Sequence, residues 1–413
     1  MSPVTRAELE ALDARDPLAP FRERFDLPDG VIYLDGNSLG ALPRPTAKRV
    51  QELVTREWGQ DLIRSWNVHG WIDLPRRVGA KIARLIGAAP DEVVVCDSTS
   101  INLFKVLAAA LRLRPERRVI LSDTGNFPTD LYMAQGLVEL LGQQHEVRIV
   151  DERDVLNAID DQVAVVMLTQ VNYRTGYLHD MAAITRRAHE RGALVIWDLA
   201  HSAGALPVDL NGCGVDFAVG CGYKYLNGGP GAPAFLFVAK KWQAHVRSPL
   251  WGWLGHAEPF AFELTYRPAD GIGRFLCGTP PVLSMAALEV GVDFLLEADI
   301  EAVRHKSQLL GHHFIALADQ ELVPFGFEVT SPRDPNRRGS QVSLRHPEGY
   351  PMVQALISRG IIGDFRAPDI LRFGLAPLYV RYVDVWETVM ALREIVETRA
   401  WDRPEFRRRA KVT

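Results

Sequence analysis

The chain has 413 residues, 47% of them apolar and 24% charged, with a formal net charge of −4. That length predicts more than one domain and that composition a soluble globular protein, while the charge leaves no electrostatic footprint for nucleic acid or an acidic membrane. No apolar run approaches a membrane span, and an N-terminus that mixes Arg6, Glu8, Glu10 and Asp13 is not a signal peptide. The cysteines, Cys96, Cys213, Cys221 and Cys277, form no CxxC pair and have no metal-ligand spacing. They predict no metal site and fit reduced thiols in the cytoplasm. The basic run at 407–411 reads as a solvated tail.

Residues 1–30 read as a helix and a proline-containing approach to YLDGNSLG at 33–40, a short strand into a polar turn. An amphipathic helix over 45–59 precedes the aromatic-dense SWNVHGWIDLP at 65–75, where Trp71 reads as core. A strand at 93–96 leads through DSTS into INLFKVLAAALRL at 101–113, a helix by apolar spacing and Ala and Leu content. The hydroxyls at its start predict an N-cap and equally a phosphate cradle, because free N–H groups, the positive dipole end and hydroxyl donors converge on one anion. Lys105 on this helix reads as solvated.

Strands follow at 118–122 and 164–168, ending in DTGNFPTD and TQVNYRTG. Phe127 in the first loop reads as a plug in the core or as a ring stacked on a flat ligand, with Asp130 close by. Thr169 offers a hydroxyl at a strand end. A helix over 182–191 crosses to ALVIWDLAHSAG at 193–204, and 215–238 reads as strand, loop, strand. This alternation argues a mostly parallel sheet covered on both faces. After SPLWGWLGHAEPF and RFLCGTPPVLS, a long helix from 284 opens a second, α+β region with strands near Phe327, Val342 and Leu371.

Two stretches carry the chemistry. Asp198 ends the strand 193–197, where an open parallel sheet presents its ligands; alone it fits a helix cap or a metal ligand equally well. Lys224 lies between Tyr223 and Tyr225 in a loop with Gly228, Gly229 and Gly231; alone it is an exposed lysine. Together, Asp198, His201 and Lys224 at successive strand ends match what pyridoxal phosphate requires. A carboxylate keeps the pyridinium nitrogen protonated, and a desolvated lysine holds the aldehyde as a Schiff base. His201 then orients Asp198 or packs on the ring. Arg372 in LRFGLAPLY at 371–379 carries a fork that fits an α-carboxylate, where the plainer reading is a surface ion pair. The residues thus predict a pyridoxal phosphate enzyme acting on an amino acid.

The runs YLDGNSLG, WDLAHSAG (197–204), GYKYLNGGPG (222–231), GWLGH (252–256) and LRFGLAPLY, spread from 33 to 379, together resemble kynureninase, a fold-type I pyridoxal phosphate enzyme of the class V aminotransferase group. The resemblance implies an α/β fold with a mostly parallel seven-stranded sheet in a large domain, 31–285. It also implies a smaller α+β domain, 286–413, with the segment 1–30 packed on it. The implied reaction is hydrolysis of L-kynurenine to anthranilate and L-alanine in tryptophan catabolism, with 3-hydroxykynurenine as a second substrate. Thr99 and Ser100 are then phosphate contacts. Phe127 lies over the cofactor, and Asp130, Thr169, Asp198, His201, Tyr223 and Lys224 surround it. Trp253 and Thr279 reach the phosphate from the other subunit of a homodimer. Asn37, Trp66 and Arg372 face the substrate, and Tyr223 transfers protons at the substrate carbonyl and Cβ. Trp66, Gly278 and Thr279 give a ring hydroxyl no strong partner, which predicts a preference for unhydroxylated kynurenine.

Other readings fit less well. A cysteine desulfurase needs a nucleophilic cysteine in the C-terminal region, and none follows Cys277. An aminotransferase leaves GWLGH and the Trp66 region unexplained. A non-catalytic relative is expected to lack the lysine or its aspartate. A dinucleotide enzyme needs GxGxxG after an early strand, where this chain has DSTS.

Overall fold

Short runs of β-branched and aromatic residues form one seven-stranded sheet in this computed structural model, which describes residues 3–142 and 145–410. Its order is Val93–Val95, Phe235–Val238, Phe217–Gly220, Leu194–Asp198, Val163–Thr169, Val119–Asp123 and Glu146–Val150. Phe235–Val238 runs antiparallel to both its neighbours, and the other pairings are parallel. Alternate residues feed two cores. Val195 and Trp197 enter one, Leu194 and Ile196 the other. A strand apolar on both faces needs helices on both faces, as the unbroken apolar runs predict.

A four-stranded antiparallel sheet follows, in the order Asp364–Arg366, Ile370–Gly374, Gln341–Arg345 and Glu328–Val329. The long helix read from 284 is two helices, Val282–Leu296 and Ile300–Glu321, divided where Asp299 caps the second. The N-terminal helix Arg6–Asp13 joins this region: the Asp13 carboxylate accepts from the backbone N–H groups of Tyr382 and Val383 at 2.7 and 2.9 Å. The pairing that matters for the site is smaller. Ile32–Tyr33 runs parallel to Ile361–Ile362, and Gly374 N donates to Leu34 O at 2.6 Å. These bonds stitch YLDGNSLG to the strands that carry Arg372.

Two further sequence readings change, the helix over 45–59 and Lys105. The helix over 45–59 is an α-helix only at Arg44–Glu52; it continues as a π-helical segment, Leu53–Asp61, where Ser65 Oγ donates to the Glu57 carbonyl at 2.6 Å. The basic run is exposed at 407–410, as expected of a solvated tail, with Arg407 in surface ion pairs to Glu348 and Asp402; Lys411 lies outside the described residues. Lys105 is wholly buried. It ion-pairs with Asp97, and its Nζ donates to the Phe275 carbonyl at 2.7 Å. The apolar stripe of its helix turns this position inward, and the charge is tolerated only because both partners wait there. Among the described residues no helix is long and apolar enough to cross a membrane, no group of His, Cys, Asp and Glu is arranged to hold a metal, and all four cysteines are free.

Lys105→Met should lower the unfolding free energy by roughly 3–5 kcal/mol, the usual consequence of removing one member of a buried pair. Urea unfolding of the two proteins measures this; a change within about 0.5 kcal/mol would mean that water replaces the lysine.

Candidate active site

Parallel register sets the centre of the site. Thr169 lies opposite Asp198 and Asp198 opposite Val219, so three strand ends finish side by side. The lysine loop leaves the last of these strands, and YLDGNSLG closes over it: Gly40 N donates to Tyr223 O at 2.8 Å. A Cβ at Gly40 would come within 2.2 Å of Lys224 O, so only glycine fits this approach.

Lys224 Nζ is 3.0 Å from His201 Nε2. Burial and then the nearby charges of Lys224, Arg372 and Arg366 push the His201 pKa well below its ordinary value. The imidazole is therefore neutral; Nε2 takes the hydrogen bond from Lys224 Nζ, and Nδ1 carries the proton, with no partner among the described residues. Asp198 is buried, and its Oδ1 accepts from Ala200 N at 2.8 Å. Burial raises its pKa against the opposing pull of Lys224. Asp130 is raised well above the carboxylate range, by burial first and the charge of Asp198 second, and its Oδ2 has no partner. The Thr169 hydroxyl donates to Asn126 Oδ1 and lies close enough to both carboxyls to oppose their rise. Tyr223 is also raised, by burial and then by Cys221 and Asp198, so it is a phenol and a proton donor at neutral pH.

These residues fit pyridoxal phosphate. A protonated ring nitrogen would supply the counter-charge that desolvated Asp198 lacks, and His201, which touches Lys224, and Asp130, which feels the charge of Asp198, each carry a buried polar atom without a partner among the described residues. Beyond the end of the edge strand Val93–Val95, Ser98 caps helix Thr99–Arg112, its hydroxyl accepting from Ile101 N at 3.4 Å, and Thr99 and Ser100 stand half-buried in the first turn. That is an anion site by dipole and by donors. Phe127 is not a core plug: it is 41% exposed at the start of helix Pro128–Leu140, edge-on to Tyr173 at 5.1 Å.

Arg372 is buried inside a network that the sequence reading did not anticipate. Its Nε donates to Asp364 Oδ1 at 2.8 Å, its Nη2 bonds Asp364 Oδ2 and, at 2.7 Å, Ser38 Oγ, and its Nη1 donates to Tyr173 O at 2.8 Å. Buried Asn37, with its amide oxygen turned toward the donors, accepts from Arg372 Nε at 3.2 Å and donates to Asp35 at 3.3 Å. Burial, then the charge of Asp364, lifts the Asp35 carboxyl to about 7.

A family profile described as the Kynureninase C-terminal domain matches residues 303–392. Kynureninase from Burkholderia mallei is 56% identical over 414 residues, 99% of this chain and all of that one. Kynureninase from Pseudomonas fluorescens is 53% identical over 415 residues, with 99% and 100% of the two chains covered. The chain belongs to the kynureninase family. Its fold is also that of more distant pyridoxal phosphate enzymes. Apo cysteine desulfurase from Thermococcus onnurineus superposes with a TM-score of 0.76 at 19% identity, covering 92% of this chain and 98% of that one. The cystine C-S lyase C-DES, in a mutant with glycine linked to its PLP cofactor, gives 0.77 at 16%, covering 90% and 99%.

Within one chain the predicted residues divide into two groups. Lys224, His201, Asp198, Asp130, Thr169 and Tyr223 converge, and Arg372 with Asn37 adjoins them. Trp66 packs edge-on against Trp71 at 6.0 Å, Trp253 against Phe260 at 5.7 Å, and Thr279 is exposed. Among the described residues none of these three makes a hydrogen bond or ring contact with Lys224, Asp198 or His201. Sequence reasoning missed Asp35, Ser38, Asp364 and Arg366. The acid and hydroxyl inside YLDGNSLG and the charged ends of Asp364–Arg366 were the available signal.

Asp35→Asn should stabilise the protein in a pH-dependent way. The folded pKa of Asp35 lies above its unfolded value, so its stability contribution is complete below about 4 and is lost as pH rises through about 7. The thermal stability gain of the variant should be near zero at acidic pH and reach a few kcal/mol, on the order of magnitude set by the shift, at pH 8. A gain independent of pH would contradict this.

Proposed function

We propose that the chain is a pyridoxal phosphate-dependent kynureninase that hydrolyses the Cβ–Cγ bond of L-kynurenine to give anthranilate and L-alanine. The observation that carries this is the 56% identity to a curated kynureninase over nearly the whole of both chains. Bound to Lys224, the cofactor supplies an electron sink for the bonds at Cα and makes Cβ a competent leaving carbon.

The chain's own residues supply the rest. Arg372 holds the α-carboxylate and so selects which Cα bond faces the ring. Lys224 would hold the cofactor, and its Nζ, once the substrate amine is in place, would take the Cα proton that the bound cofactor makes acidic. Asp198 keeps the ring nitrogen protonated, and His201 orients the groups around it. Tyr223, protonated at neutral pH, would give its proton to the side-chain carbonyl oxygen as water adds, take back the proton that the added water loses, and pass it to Cβ as anthranilate leaves. Thr99 and Ser100 hold the phosphate, with Phe127 on the ring face and Asp130 and Thr169 beside Asp198.

The second group of residues belongs to a homodimer in this reading. Trp253 and Thr279 of one subunit complete the phosphate site of its partner, and Trp66 faces the aromatic end of the substrate. The support is a display of large apolar side chains: Ile63 is 76% exposed, Phe260 65% and Phe262 74%. Trp253, Phe260 and Phe262 stand together, with ring centroids 5.7 and 6.4 Å apart, a contiguous apolar display of the kind that marks an association surface. The division into segments 1–30, 31–285 and 286–413, and a cytoplasmic location, complete the proposal; the four free cysteines support the location.

Purified protein with L-kynurenine should release anthranilate, read by fluorescence, and alanine, and Lys224→Ala should lose both products and the visible absorbance of the bound cofactor. A yellow protein that yields neither product would end the kynureninase assignment. The kcat/KM for kynurenine should exceed that for 3-hydroxykynurenine by about tenfold, the effect of one unsatisfied hydroxyl; the reverse order would remove the specificity argument at Trp66, Gly278 and Thr279.

A further inference from the structure

Two guanidiniums, not one, stand where an α-carboxylate would meet this chain. Asp364 and Arg366 share one short strand with a single residue between them, so both side chains stand on the same face. Asp364 is also the direct cross-strand neighbour of Arg372. Its buried carboxylate accepts from Arg372 Nε at 2.8 Å, from Arg372 Nη2, from Arg366 Nη2 at 2.8 Å and from Ser38 Oγ at 2.9 Å.

That arrangement changes what Arg372 can do. Its side-on edge, Nε with Nη2, is filled by Asp364, and Nη1 is engaged by Tyr173 O at 2.8 Å. A guanidinium has five N–H donors, so little of this fork is left for an incoming carboxylate. Arg366 is the freer cation. Its side chain is 34% exposed, its Nη1 bonds the adjacent Phe365 carbonyl at 3.1 Å, and its Nη2 reaches Ser38 Oγ at 3.3 Å. Both arginines border the reacting centre: their charges act on His201, which touches Lys224, and Tyr173 packs on Phe127.

We propose that Arg366 is the second cation of the α-carboxylate subsite, and that Asp364 is the positioning residue that holds Arg366 and Arg372 side by side for that task. The proposal rests on the functional reading above. Charge balance supports it. Two guanidiniums and Asp364 leave one positive charge while Asp35 is protonated, and an α-carboxylate neutralises it. With Arg372 alone, its charge is already matched by Asp364, and a second carboxylate in that buried place would be uncompensated.

The test uses the holoenzyme and two ligands that differ in the carboxylate, L-alanine and ethylamine, each titrated by the absorbance change of the bound cofactor. In Arg366→Gln, L-alanine should bind about tenfold or more weakly, the loss expected for a charge-assisted pair, and ethylamine should stay within about twofold. The KM for kynurenine should rise more than kcat falls, and Arg366→Lys should recover part of the L-alanine affinity. Asp364→Asn should weaken L-alanine with the same selectivity, which a merely structural role would not produce. Equal weakening of both ligands, or of neither, in the two Arg366 variants would overturn the proposal whether or not the Asp364 variant folds. Selective loss of L-alanine in a protein that does not cleave kynurenine would instead overturn the functional reading and leave the subsite standing.

Discussion

Two buried carboxyls that share the field of one lysine are the constraint on which the site depends. Asp130 and Asp198 are both desolvated, the charge of Asp198 bears on Asp130, and the charge of Lys224 opposes burial at both. Two carboxylates in one dry place cannot both ionise without a cation. The chain supplies one cation, and a protonated ring nitrogen supplies the next. The parallel sheet makes the arrangement possible, because it ends three strands at one level and covers both faces with helices that exclude water. The orphaned Nδ1 of His201 and Oδ2 of Asp130 are consequences of the same geometry.

A second charged cluster is built the opposite way. Around Arg372 every group has a partner inside the protein: Asp364, Ser38, Tyr173 and Asn37. The lysine cluster is left short of partners and the arginine cluster is nearly saturated. The first suits a place that receives a cofactor, the second a rigid frame that fixes the orientation of a substrate. The frame depends on a pairing of few residues, Ile32–Tyr33 with Ile361–Ile362, which brings Asp35, Asn37 and Ser38 from the start of the chain to the strands near its end.

Much of the fold was legible because its strands are apolar on both faces, a pattern that only a sheet sandwiched between helices satisfies. The run Val163–Thr169 and the Asp198 strand announce themselves in this way. Local signals were weaker where backbone and side chain compete. The helix over 45–59 carries a helical period throughout, yet its second half widens to π geometry. Lys105 shows how periodicity misleads for a charged residue: the helix face was correct, but the assumption that lysine seeks water failed, since Asp97 and the Phe275 carbonyl lie in the interior to receive it.

By itself the sequence singled out the lysine, its aspartate and histidine, and the glycines that keep the lysine loop clear of side-chain bulk, and it determined the family to which these runs belong. Those are matters of residue type and spacing along one strand or loop, where chemistry is local. Only the tertiary structure decided that Arg372 is gripped by Asp364, that Arg366 stands beside it, that Asp35 is held protonated toward neutral pH, and that Lys105 is buried. Each depends on groups far apart in the chain meeting where water is excluded, and the strength of a charge in such a place is set by its neighbours in space.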